Sequence, residues 1–440
     1  MASIPLLRLL LLLLPLPLRE HLWSSHRPKD VAGVSVGVGA GAGELHPIFV
    51  VPGASCSNLE ARLTEAYRPS VPSCGALKGK GWFGLWDNSS DLSTYHYNEC
   101  FEEQMSLVYD PVSNDYRNFP GVETRVAKFG LARGLHSKNP SHPDWCLEKL
   151  IGALEEMGYH DGDNMHGVPY DVRYAAPIPG QVSQVYSRHF KEFMELVETA
   201  SKKHHKKAII LGHSLGGMVA LEFVRNTPLA WRNRYIEHLF LISPTISPGF
   251  VVSVRNLVSG PQDILYVPDA TALSLRPMWR SFEISIDNFP SPEVFGHEPI
   301  VITKQRNYSA YDFEDLLAAI GFSDGFEPFR RRMAARMNYF EAPMVSLTCI
   351  NGVGNRTPRQ LVYWDGNFDE PAQTVFDDGD DTINLISMLA FDEEMRRQPG
   401  QKGRFKSIKL DKASHGSVLT DEWALRRVMQ EILEVNRNSS

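Results

Sequence analysis

Along this chain, short unbroken apolar runs alternate with stretches whose apolar positions recur every three or four residues. Ile48-Phe-Val-Val51 is fully apolar and is stopped by Pro52-Gly53, the pattern of a short buried strand. Similar runs lie at 208–211, 236–242 and 344–350, with a weaker one at 407–410. Helical spacing predicts helices over 145–157, 183–200, 215–226 and 421–435. Buried strands alternating with helices predict an α/β fold with a mostly parallel central sheet. Two stretches break this rhythm. Residues 74–100 are bounded by cysteines, and residues 244–342 are rich in Pro, Ser and Arg without regular strands. Insertions of this length in an α/β domain predict a lid loop (74–100) and a cap (244–342) within a fold spanning 46–436.

The run 208–211 leads directly into chemistry. Ala208-Ile-Ile-Leu is followed by Gly212-His-Ser214-Leu-Gly216, and then by Met218, Val219, Leu221, Phe223 and Val224 at helical spacing. The five-residue pattern alone is weak, but strand, turn and helix together are the setting of a nucleophile elbow. In that turn the serine hydroxyl is exposed, and Gly212 and Gly216 avoid collisions across it. Leu215 would offer its backbone N–H to an oxyanion, and Ala54, in Val51-Pro-Gly-Ala54-Ser55, would supply the second N–H from the loop after the first strand.

A serine hydroxyl needs a base, and the base needs an orienting acid. In the α/β-hydrolase order both follow the serine. The acidic stretch Asp377-Asp-Gly-Asp380-Asp381-Thr-Ile-Asn384 is one candidate source of the acid; its plain alternative is a solvated loop. His415, on the small-residue loop Lys412-Ala-Ser-His-Gly, follows the last strand, where the base belongs. His213 is a rival by proximity, but its place in the elbow turns it from the hydroxyl.

Composition narrows the setting more than the chemistry. The 440 residues are 43% apolar and 22% charged with net charge −7, so nucleic acid is not an expected partner. Residues 4–18 form a leucine-rich run of the length of a signal-peptide core, with an uncleaved signal anchor as the alternative; a Gly-rich linker completes 1–45. Glycosylation patterns occur at Asn88, Asn307, Asn355 and Asn438, and together these features predict the secretory pathway. Five cysteines leave at least one without an intramolecular partner.

Beyond the elbow, a series of motifs resembles the lecithin–cholesterol acyltransferase family, which includes lysosomal phospholipase A2. They are Val51-Pro-Gly53 with Asn58-Leu-Glu-Ala-Arg-Leu63, Leu107-Val-Tyr-Asp110, Phe119-Pro-Gly-Val122, Val168-Pro-Tyr170-Asp171-Val-Arg173, Gly212-His-Ser214, Tyr308…Tyr311, Gly352-Val-Gly354…Thr357-Pro358, Asp380-Asp-Thr-Ile-Asn384 and Ser414-His415. They run in order from about 46 to 420.

The resemblance implies an α/β-hydrolase with the triad Ser214, Asp380 and His415 and an oxyanion hole from Ala54 and Leu215. It selects Asp380 because the family's acid directly precedes its Gly-Thr-Val. It also implies a disulfide between Cys74 and Cys100 closing the lid loop, with Trp82 and Trp86 as lipid contacts; the plain alternative is that both are core aromatics. The implied activity takes an acyl chain from a glycerophospholipid at a membrane or lipid-particle surface and passes it to a lipid alcohol. Passing it to water, as a phospholipase or esterase, is the alternative, and a silent lipid binder is the rival of another class. No metal or organic cofactor is implied. Several positions depart from the family pattern. Ser243-Pro-Thr-Ile-Ser-Pro-Gly249 replaces Gly-Ala-Pro-Trp-Gly-Gly, Cys56-Ser57 replaces Gly-Asn, Val172 replaces Trp, and Asp381 stands where Gly follows the acid.

Overall fold

Val, Ile and Leu fill both sides of the central strands because both faces of the sheet are covered. A computed structural model of the chain describes residues 45–86, 95–136, 146–265 and 269–438. Its main sheet has six strands: β1 (Ile48–Val51), β2 (Met165–Gly167), β3 (Ala208–His213), β4 (Ile236–Ile242), β5 (Leu347–Val353) and β6 (Phe405–Asp411). They lie in the order β6-β5-β4-β3-β1-β2, every pair parallel. Alternate residues enter two cores. Phe49, Val51, Ile210, Leu239 and Leu241 belong to one, and Ile48, Val50, Ile209, Leu211, Phe240 and Ile242 to the other. The period-two alternation of a strand thus divides one continuous apolar run between two layers.

Helices α1 (Glu148–Met157), α2 (Gln184–His204), α3 (Leu215–Asn226), α4 (Leu385–Arg397) and α5 (Glu422–Asn438) clothe the sheet. α2 starts where Ser183 Oγ accepts from the Tyr186 N–H at 3.3 Å, a side-chain N-cap. Leu150, Ile151 and Leu154 of α1 share one core with Leu425, Val428 and Ile432 of α5, whereas Phe190, Phe193 and Val197 of α2 pack with α3 in the other.

The insertion 244–342 is largely helical, with helices Val251–Ser259, Asp269–Ser281 and Phe313–Ala319. It departs from expectation in two respects. Short strands Val301–Ile302 and Asn307–Tyr308 do form, and they pair with a hairpin, Asn355–Val362 and Gln373–Gly379, in a second sheet. The region expected as a cap therefore shares a sheet with residues beyond 342, and the acidic stretch begins on that sheet's last strand. Two buried ion pairs brace the 244–342 region internally, and a third braces the core. Arg332 Nε donates to Glu283 Oε1 at 2.6 Å, Arg336 Nε to Asp287 Oδ1 at 2.7 Å, and Arg173 Nε to Asp171 Oδ1 at 2.9 Å. Burial would make each charge costly alone, so breaking one pair leaves an uncompensated ion.

Cys74 and Cys100 form a disulfide that closes the segment expected as a lid, and a second joins Cys56 to Cys146; Cys349 is free and buried. Among the described residues no helix is long and apolar enough to cross a membrane. The leader expected over 1–45 lies, apart from Leu45, outside the described residues, as does the glycosylation pattern at Asn88.

Candidate active site

Ser214 stands at the carboxyl end of β3 with φ 54° and ψ −126°, a conformation few L-residues adopt. Packing enforces it. A methyl group on Gly212 would overlap the Gly216 carbonyl, one on Gly216 would overlap the carbonyls of Val51 and Pro52, and one on Gly217 would come within 2.6 Å of Pro244 Cβ. The turn is therefore wedged between the strand-end loops of β1 and β4, with the hydroxyl left facing the cap.

His415 lies on the loop after β6, and its Nε2 is 2.8 Å from Ser214 Oγ. Its Nδ1 is 3.1 Å from Asp380 Oδ2, and its own backbone N–H donates to the Asp380 carbonyl at 2.6 Å. Asp380 is fully buried; its other carboxylate oxygen accepts from the backbone N–H of Thr382 at 3.2 Å and of Ile383 at 2.6 Å. One oxygen is thus committed to backbone donors and the other to the imidazole, which fixes the ring's tautomer and plane. Burial alone would lower the His415 pKa. The charge and hydrogen bond of Asp380, with the charge of Asp381, outweigh it and hold the pKa above the ordinary value.

The three residues expected to act together are therefore brought together. Neighbours in the sequence are not. Asp377 and Asp378 point to the exposed hairpin, where Asp377 pairs with Arg359 at 2.8 Å and Asp378 accepts from the Gly354 N–H at 2.6 Å. His213 Nε2 lies 3.2 Å from the His415 carbonyl rather than against the serine hydroxyl. Burial, with the nearby His415 charge, lowers its pKa to about 4, so it stays neutral as a support for the histidine loop.

The expected oxyanion donors flank Ser214. Leu215 is the first residue of α3, where backbone N–H groups have no intrahelical partner and the dipole favours negative charge. Ala54 opens a single 3₁₀ turn, Ala54–Cys56, after β1. A methyl group on the preceding Gly53 would lie 3.4 Å from both Ser214 Cβ and His213 Nδ1, so turn and elbow are in contact.

Above Ser214 opens a cavity of about 430 Å³, lined by Trp86, Phe101, Met105, Met278, Trp279, Phe282 and Ile284 on its apolar side. Its size falls within the roughly 300–1,000 Å³ of small-molecule sites. The two aromatics expected at a lipid surface separate here. Trp86 is buried, lines the cavity and packs on Phe101 with ring centroids 5.8 Å apart. Trp82 is half-buried between the guanidinium groups of Arg62 and Arg125, 5.1 and 4.3 Å from its ring, and does not line the cavity.

Other parts of the site carry no sequence signal of their own. The Tyr170 hydroxyl donates to the Pro52 carbonyl at 3.0 Å, and its N–H donates to Ser57 Oγ at 3.2 Å, bracketing the Ala54 turn. Asn355 Nδ2 donates to the Ala413 carbonyl at 2.7 Å and steadies the His415 loop. Tyr170 falls within a family-like motif, but a motif does not reveal what its hydroxyl holds.

The profile of the family described as Lecithin:cholesterol acyltransferase matches residues 82–317. A rice (Oryza sativa subsp. japonica) protein named Lecithin-cholesterol acyltransferase-like 1 is 38% identical over 397 residues, covering 90% of this chain and 88% of its own. This chain belongs to the lecithin:cholesterol acyltransferase family. More distant family members are similar over most of their length. Dog (Canis lupus familiaris) Lysosomal phospholipase A and acyltransferase is 29% identical, with 79% of this chain and 82% of its own covered. Mouse (Mus musculus) Phosphatidylcholine-sterol acyltransferase is 28% identical, with 77% and 74% covered. The parallel sheet, the elbow at the end of β3 and the order Ser, Asp, His make the fold an α/β-hydrolase. Where the family pattern has Gly after the acid, Asp381 has φ 78°, so the backbone there keeps the conformation that favours glycine.

Proposed function

We propose that the protein transfers an acyl chain from a glycerophospholipid through an acyl-Ser214 intermediate to a lipid alcohol. The observation that carries this reading is the relay from Asp380 through His415 to Ser214, at 3.1 and 2.8 Å, at the floor of an apolar cavity. His415 takes the hydroxyl proton as Ser214 attacks the ester carbonyl, and the backbone N–H groups of Ala54 and Leu215 receive the oxyanion. His415 returns the proton to the departing lysophospholipid oxygen. An acceptor hydroxyl then gives its proton to His415 and attacks the acyl-serine. Water in place of that alcohol makes the protein a phospholipase A, the activity carried in the name of the lysosomal relatives. Transfer and hydrolysis differ only in which nucleophile reaches the intermediate, so exclusion of water by the cavity wall decides between them.

The two disulfides support an oxidising compartment, and with it the secretory pathway and a lipid membrane or particle as the working surface. In that compartment Asn307 is exposed and open to glycosylation, whereas the Asn355 amide is occupied by the Ala413 carbonyl.

The test supplies acyl-labelled phosphatidylcholine vesicles containing a lipid alcohol to the wild type and to Ser214→Ala. Label in a new ester, lost in the variant, is expected. Label released only as free fatty acid identifies the phospholipase, and lipid binding with no turnover identifies a silent binder.

A further inference from the structure

We propose that the Cys56–Cys146 disulfide is a positioning element for catalysis, holding the Ala54 N–H where the acyl oxyanion forms. The proposal rests on Ser214 being the nucleophile. Ala54 belongs to a turn of three residues in which the Cys56 N–H donates to the Gly53 carbonyl at 3.1 Å, with no side-chain cap. A single 3₁₀ turn is weak by itself, so its position depends on what grips its ends.

The upstream end is gripped well, by β1 and by the Tyr170 hydroxyl on the Pro52 carbonyl. Downstream, the turn's last residue is bonded covalently to Cys146, across 90 positions of sequence. Cys146 lies two residues before α1, and its N–H donates to Glu148 Oε2 at 2.9 Å. α1 is itself anchored by Leu150, Ile151 and Leu154 in the core. The bridge therefore ties the oxyanion turn to a packed helix rather than to another loop. Both cysteines are buried, and both line the cavity that holds Ser214.

This anchor lies where the chain departs from the family's Gly-Asn pair. Oxyanion donors act only within roughly 2.7–3.1 Å of the developing charge, and a displacement of about 1 Å costs on the order of 10²-fold in rate. A covalent hold one turn from the donor bears on that distance directly.

The test measures Cys56→Ala/Cys146→Ala on a soluble p-nitrophenyl ester, with active sites titrated to completion by a fluorophosphonate. The expected result is a kcat per titrated site about 10- to 100-fold lower with KM unchanged. The inhibition constant of a trifluoromethyl ketone, whose hemiketal oxygen uses the same donors, should rise by the factor lost from kcat/KM. That of an unreactive ether of the same shape should not move. Unchanged kcat per site with only a lower melting temperature would overturn the proposal, as would an equal rise for both inhibitors. Full activity in Ser214→Ala would instead remove the reading beneath it.

If the double variant does not fold, folded wild-type protein is opened with a water-soluble phosphine. The disulfide becomes two thiols, the phosphine becomes its oxide, and water supplies the oxygen and hydrogens. Loss of kcat should follow alkylation of Cys56 and Cys146; loss that follows Cys74 and Cys100 alone contradicts the proposal.

Discussion

The elbow that carries Ser214 and the turn that carries Ala54 touch each other, yet they are held by opposite means. The elbow is locked by exclusion, because Gly212, Gly216 and Gly217 leave no room for another course of the backbone. The Ala54 turn is held from outside, by Tyr170, which bonds Pro52 before it and Ser57 after it, and by the disulfide to Cys146. A sterically locked element fails all at once when a single atom is added. A tethered one loosens by degrees as its tethers are removed, and its defects should appear in turnover before they appear in folding.

Substitutions that test this contrast span a wide range of effect. The largest is expected for Gly216→Ala, whose methyl group would drive apart β1 and the elbow; soluble, active protein should not be recovered, as expression and circular dichroism would reveal. Asp380→Asn should leave the fold intact and lower kcat by about 10⁴-fold, because the imidazole loses the partner that sets its tautomer. Glu283→Gln tests the cap instead. It leaves buried Arg332 with only the more distant Asp115, 3.8 Å away, as a charge partner and should cost about 3 kcal/mol in denaturant unfolding, with a smaller effect on soluble-ester turnover. Tyr170→Phe removes one tether of the Ala54 turn and should cost about 0.5–1.5 kcal/mol of stability, with kcat lowered more than KM is raised.

The smallest effect is on pH dependence. His415 must be neutral to accept the serine proton, and Asp380 and Asp381 hold its pKa above the ordinary value of 6.5. Activity should therefore fall as pH drops through a midpoint above 6.5, which kcat/KM against pH reports for the free enzyme. Asp381→Gly removes one of the raising charges and suits the positive φ, so the acid limb should move to lower pH while the alkaline plateau stays in place.

The same contrast explains what could be read from the residues alone. Exclusion leaves marks in the sequence: glycines at fixed spacing, unbroken apolar strands, a helix beginning directly after the serine. The elbow and four of the six central strands were legible for that reason, as was the His415 loop after the weaker β6. Tethers leave fewer marks. Nothing in the spacing pairs Cys56 with Cys146 among five cysteines, and nothing around Tyr170 announces that its hydroxyl reaches Pro52. β2 has only three residues, too short for a periodic signal. The Gln373–Gly379 strand is almost wholly exposed, so it lacks the alternation that burial of one face imposes. Choosing Asp380 within its acidic stretch needed the family resemblance, since the burial that separates it from Asp377 and Asp378 is a tertiary property.

The central claim is that the acyl chain rests on Ser214 between donor and acceptor, and trapping that intermediate tests it most directly. Wild-type protein is mixed with phosphatidylcholine carrying an isotope-labelled acyl chain, quenched in acid within the first turnover, digested and examined by mass spectrometry. The labelled acyl group is expected on the peptide containing Ser214, absent from Ser214→Ala and strongly reduced in His415→Ala. Turnover of the phospholipid by Ser214→Ala at the wild-type rate, or label on a different residue, would contradict the account.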